Sequence, residues 1–135
     1  MFDAGTGTGI LALAARCFGA SDALGIDHDP RAVAHALENA RLNEIDDVKF
    51  LIRDLLQWKA RSRYDIITAN LYSEMLIAVL PRFRQALRRE GRIIISGILR
   101  EQAKPVIAAL RRTGFDLEAM RRRGKWVALL AKLKT

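Results

Sequence analysis

The chain is short of the residues that staple or anchor a protein. It has one cysteine in 135 residues, Cys17, so no internal disulfide can form. No Cys-His cluster offers zinc its ligands, and no metal site is expected. A lone thiol suits a reducing compartment, and the expected location is cytoplasmic. No apolar run approaches the ~18 residues a membrane helix needs, and Met1-Phe2-Asp3 reaches an acid at once, so neither a membrane span nor a signal peptide is expected. Internal repeats and low-complexity tracts are missing too, while 50% of the residues are hydrophobic, which excludes a solenoid and a disordered chain. One domain of ordinary size, residues 1–135, remains as the expectation, long enough for a core without staples.

Charge is present but uneven. Residues 1–60 carry six Lys/Arg against nine Asp/Glu, whereas residues 61–135 carry seventeen against six, so the second half supplies all of the net +8. A basic half attracts phosphate backbones by steering and counterion release, so RNA contact is one reading. The other is a set of solvated helix faces, with Arg88, Arg89, Arg111 and Arg112 placed at helix ends where they suit the macrodipole.

Short apolar runs alternate with longer amphipathic ones, the rhythm of strand-helix-strand units. Met1–Ala4 reads as a strand, Gly5–Gly9 as a turn and Ile10–Cys17 as a helix. Ala23–Ile26 is a second strand closed by Asp27; Asp29 caps a helix that opens on Pro30 and runs to about Leu42. Val48–Ile52 and Tyr64–Ala69 are the third and fourth strands, ending toward Asp54 and Asn70, and Ser73 is read as the cap of a helix to about Arg88. After a Glu90-Gly91 turn, Arg92–Ser96 forms a strand of three successive isoleucines, as expected where both faces are buried. A helix over Glu101–Arg112, stopped by Gly114, precedes two strands, Phe115–Arg121 and Trp126–Leu133, joined through Arg122, Arg123 and Gly124 as an antiparallel hairpin.

Chemistry concentrates in Asp3-Ala4-Gly5-Thr6-Gly7-Thr8-Gly9, between the first strand and first helix. Glycines there let a backbone approach a ligand, and the helix start offers free N–H groups. The loop departs from the dinucleotide fingerprint, because Ile10 stands where a third spaced glycine belongs, and no lysine follows as in a phosphate-cradling loop. Asp3 adds negative charge, which suits a ligand with a cationic end and no phosphate, such as S-adenosylmethionine. Asp27, at the tip of the second strand, can accept from both ribose hydroxyls. Asp54 can reach the adenine amino group, with Leu55 against the ring. His28 either flanks the adenosine or is an exposed loop residue. His35 is read as a helix-surface residue, and Trp58 and Trp126 as packing residues.

These residues resemble a known family. Asp3-x-Gly5-x-Gly7 with Ile10-Leu11-Ala12, then Gly25-Ile26-Asp27-x-Asp29-Pro30-x-Ala32, then Asn70 at a strand tip, is similar to class I S-adenosylmethionine-dependent methyltransferases. More narrowly, Ala69-Asn70-Leu71, Ser96-Gly97-Ile98-Leu99 with Gln102, and Gly124-Lys125-Trp126-Val127-Ala128-Leu129 resemble the ribosomal protein L-eleven methyltransferase (PrmA) family along essentially the whole chain.

The resemblance implies an α/β Rossmann-like fold, a seven-stranded, mostly parallel sheet in the order 3-2-1-4-5-7-6 with the last strand antiparallel and helices on both faces. It implies that Gly5, Thr6, Gly7 and Gly9 hold the amino-acid end of S-adenosylmethionine beside Asp3, that Asp27 holds the ribose and Asp54 the adenine, and that Asn70 lies near the transferred methyl. An amide there orients an amine by accepting its hydrogen bond, which fits N-methylation of a protein amine, a lysine or N-terminus of a ribosomal protein. RNA or small-molecule methylation, or cofactor binding without turnover, are the alternatives. Family members carry an N-terminal substrate-recognition domain, and the 135 residues are expected to hold the cofactor-binding domain without it. Oligomeric state is left open.

Overall fold

A computed structural model describes Met1 to Lys134, which form seven strands and four α-helices. The strands follow the order β3-β2-β1-β4-β5-β7-β6 in one sheet, as the family resemblance implies. Two compact units divide the chain, Met1–Trp58 and the residues from Lys59 onward. Among the described residues no helix is long and apolar enough to cross a membrane.

The first unit alternates β1 (Phe2–Ala4), α1 (Ile10–Cys17), β2 (Ala23–Asp27), α2 (Pro30–Leu42) and β3 (Val48–Ile52), with all three strands parallel. Helix α1 buries Ala12 and Leu13 and leaves Ile10 in solvent, the narrow apolar stripe of a short surface helix. Helix α2 starts as read: Asp29 accepts from the Arg31 N–H at 2.9 Å, and Pro30 fills the first helical position. That backbone bond holds the Asp29 carboxyl below its ordinary pKa. Met1, Ala12, Leu13, Ala23, Val33, Ala36 and Phe50 close the core of this unit. Phe2 stacks on Trp58 with centroids 4.2 Å apart, so Trp58 packs as expected.

The second unit contains β4 (Tyr64–Asn70), α3 (Ser73–Ala86), β5 (Leu87–Leu99), α4 (Ala103–Arg112), β6 (Phe115–Arg123) and β7 (Trp126–Leu133). Strands β4 and β5 are parallel, and β7 runs antiparallel to both β5 and β6. Leu76, Val79, Leu80, Phe83 and Ala86 form the buried stripe of α3, and Val106, Ala109 and Leu110 that of α4.

Five local expectations change. Ser73 is not the cap of α3: Tyr72 holds that position in extended geometry, and the buried Ser73 hydroxyl donates to Glu74. The helix ends at Ala86, because Arg88–Gly91 form a bulged extension of β5, between the Tyr64–Leu87 and Ile66–Arg92 pairs. Arg88 and Arg89 therefore lie on a strand, whereas Arg111 and Arg112 do end α4.

The isoleucine run is buried on one face only. Ile93 and Ile95 are sealed, but Ile94 is 41% exposed, since successive side chains point to opposite faces. The expected helix start at Glu101 is a 3-10 turn, Arg100–Gln102, in which the Gln102 side chain accepts from the Leu99 N–H. Finally, Arg122 and Arg123 belong to β6, and the hairpin turn is Gly124-Lys125 alone.

Candidate functional site

In the first unit the glycine loop is held from below and from the side. Gly5, Gly7 and Gly9 have φ of +70, +54 and +80°, a region that costs any side chain energy. Beneath them lies Phe50: a Cβ on Gly9 would come within 2.8 Å of its ring, and one on Gly25 within 2.7 Å. These two glycines are thus required by close packing, and the loop rests on the Phe50 ring. Gly5 and Thr6 both donate their N–H to the Ile26 carbonyl, at 3.0 and 2.9 Å.

Asp3 is 1% exposed and accepts from the Thr6 hydroxyl at 2.7 Å. It orders the loop from the inside and sets a negative charge under it. Asp27, with 13% of its side chain exposed, accepts from the Gly7 N–H through Oδ2 and from the Asp29 N–H through Oδ1, each at 3.0 Å. A carboxylate offers about four acceptor positions, so these two bonds leave room for further hydroxyl donors. His28 Nδ1 lies 3.4 Å from Asp27 Oδ1, and its ring is 86% exposed.

Arg53 donates its N–H to the Asp27 carbonyl at 2.8 Å, tying the turn after β3 to the tip of β2. In that turn Asp54 is exposed and accepts from the Leu56 N–H at 2.8 Å, while Leu55 is 7% exposed and packs inward. The loop, Asp27 and Asp54 therefore stand at the carboxyl ends of three adjacent parallel strands, where open α/β sheets bind ligands. No Lys or Arg occurs between Asp3 and Ile10. The donor set suits a nucleoside with a cationic tail better than a pyrophosphate.

In the second unit Asn70 ends β4 opposite Ser96 of β5 and is exposed. One residue on, β5 carries a bulge: Ile95 pairs with Leu129 and Ile98 with Val127, so β5 has one residue more than β7. Gly97 fills it at φ +79°, the left-handed conformation that such bulges place on glycine. Beside it is a cavity of about 400 Å³, lined by Asn70, Ser96 and Gly97 and by residues 121–123 and 126–128 of the last hairpin.

In sequence, Arg121-Arg122-Arg123 of this hairpin reads either as a contact for RNA or an acidic partner or as an exposed hairpin turn. The hairpin's signal was alternation: Val127 and Leu129 are buried, so Trp126 and Ala128 face the other way, and Trp126 is 48% exposed rather than packed. Lys125 Nζ lies 5.4 Å from the Trp126 ring centroid.

Comparison with known proteins gives the family. Residues 1–134 match the family model described as ribosomal protein L11 methyltransferase (PrmA). A ribosomal protein L11 methyltransferase of Clostridium perfringens is 39% identical over 134 residues, 99% of this chain and 42% of that protein. Its counterpart in Heliobacterium modesticaldum is 36% identical over 132 residues, again 42% of its length. The chain thus spans about two-fifths of the curated relatives it matches. The crystal structure of a ribosomal protein L11 methylase from Lactobacillus delbrueckii subsp. bulgaricus superposes with a TM-score of 0.95 at 34% identity, covering 99% of this chain and 69% of that one. Matched along residues 1–134 and superposable on a solved member over 99% of its length, the chain belongs to the ribosomal protein L11 methyltransferase (PrmA) family.

Proposed function

We propose that this chain binds S-adenosylmethionine and takes part in methyl transfer to an amine of a ribosomal protein, the L11 protein of the family's name, in the cytoplasm. The observation that carries the reading is the Asp27 carboxylate, locked by the Gly7 and Asp29 amides at the end of β2 with acceptor capacity to spare. Those free positions suit a ribose diol. The Gly5–Gly9 backbone, bent over buried Asp3, suits the cationic amino-acid end, and Asp54 suits the adenine amine.

Bound there, S-adenosylmethionine supplies a methyl group on a sulfonium, open to in-line displacement by a nitrogen lone pair. The chain's part is then positional. The Asn70 amide oxygen accepts an N–H of the acceptor amine, which fixes the direction of its lone pair. No side chain need form a covalent intermediate.

A thermal melt with S-adenosylhomocysteine, NAD and ATP tests the cofactor. A ligand at ~100 times its dissociation constant adds ~2.7 kcal/mol of stability. A shift with S-adenosylhomocysteine alone supports the reading, and a shift with NAD alone rejects it. Labelled methyl transfer to ribosomal protein or to RNA then separates the acceptors, and incorporation into RNA alone rejects the protein amine.

A further inference from the structure

We propose that the cavity beside Gly97 holds an acidic segment of a protein partner, with its carboxylates on Arg121, Arg122 and Arg123. The inference deepens the reading above, by naming the character of the sequence that flanks the methylated amine, and it rests on that reading only for the amine. The cavity is lined by three arginines and by no acid. Among the described residues none of the three forms an ion pair or a side-chain hydrogen bond, whereas Arg16, Arg31, Arg41, Arg88 and Arg92 each have a carboxylate partner. Among the described residues no carboxylate pairs with them; Arg111 and Arg112 of α4 are likewise unpaired but do not line this cavity.

Their backbones are already fixed. Arg121, Arg122 and Arg123 pair in register with Ala128, Val127 and Trp126, and the Arg100 N–H donates to the Lys125 carbonyl at 3.0 Å, pinning the hairpin tip. Guanidinium groups on a rigid ladder form charge-assisted, forked bonds to carboxylates with little further ordering.

The cavity favours a peptide over RNA. Its volume, about 400 Å³, is near the small end of the ~300–1,000 Å³ usual for ligand pockets and has room for one or two side chains. Val127, Ala128 and Trp126 offer aliphatic and aromatic surface for their methylenes. Recognition of single-stranded RNA needs open aromatic faces for base stacking. Trp126 is the one aromatic residue lining the cavity, and the Lys125 ammonium lies over its ring.

The test is fluorescence anisotropy with two labelled nonapeptides, each with one central lysine, flanked in one by glutamates and in the other by glutamines. The glutamate peptide should bind about tenfold tighter at low salt, and the preference should fade as salt rises. The double variant R121Q/R123Q should lose the preference. R111Q/R112Q, which removes the same charge from α4, should keep it. Equal binding of the two peptides, equal loss in both double variants, or tighter binding of an oligouridylate of matched charge would each overturn the proposal. The S-adenosylhomocysteine melt, run on the same samples, reports folding of the variants and judges the cofactor reading by itself. Its failure leaves the peptide result to stand or fall on the anisotropy.

Discussion

The Asn70 amide lies directly over the backbone of Gly97: a Cβ at residue 97 would fall on Asn70 Oδ1. Gly97 is thus fixed twice, by its φ of +79° and by the side chain above it. Gly97→Ala should cost roughly 1–3 kcal/mol of stability and push the amide out of place. Circular dichroism melts should read the first effect. Methyl transfer should fall by more than S-adenosylhomocysteine binding, and equal losses in both would count against a positioning role for Asn70.

Asp27 is to be judged by ligand binding rather than by stability alone. Asp27→Ala leaves the Gly7 and Asp29 amides without their acceptor, a cost of about 1–3 kcal/mol where such donors lose solvent access. On top of that lower baseline, the melt shift given by S-adenosylhomocysteine should disappear. A shift that persists at full size would remove Asp27 from the cofactor site.

Phe50 supports the loop from within the core of the first unit. Removing its ring leaves Gly9 and Gly25 over a void, and Phe50→Ala should destabilise the protein by about 3–5 kcal/mol in urea unfolding. Phe50→Leu fills part of that space and should cost less. If both variants unfold at the same urea midpoint as the wild type, the ring does not hold the loop.

Glu118 gives a pH signature. Partial burial pushes its carboxyl pKa up, but hydrogen bonds and charge from Arg92 and Lys132 outweigh it, and the net shift is downward. A carboxylate with a depressed folded pKa contributes stability above its unfolded value, near 4.5, and that contribution is lost as pH falls through the folded value. Melts taken below pH 5 should therefore fall less steeply in Glu118→Gln than in the wild type, and 1 M salt should narrow the difference. Parallel curves at low salt would show that the cluster is not coupled to folding.

The first unit was legible because its signals are local. A glycine loop followed by Ile10–Cys17, Asp29-Pro30 before an amphipathic run, and acids at strand tips each state their structure within a few residues. The second half is written in register instead. Glu90-Gly91 reads as a turn after a helix ending near Arg88, yet pairing with β4 makes Arg88–Gly91 a bulge. Nothing near Asn70 announces Gly97 as its seat, because the contact joins residues 27 apart through the sheet. The arginines of β6 reach the cavity for the same reason: only the hairpin's pairing with β7 brings them beside Trp126.

Among the described residues, strand β6 pairs with β7 on one side only, so one edge of a nine-residue strand has no sheet partner there. Such an edge invites pairing with another copy, and charge is a common defence. Arg121–Arg123 give like-charged copies a reason to stay apart, which makes the same side chains a solubility device. Loss of their charge, by substitution or by a polyanion bound across them, should show in light scattering as growth of associated species before any change in the melting curve.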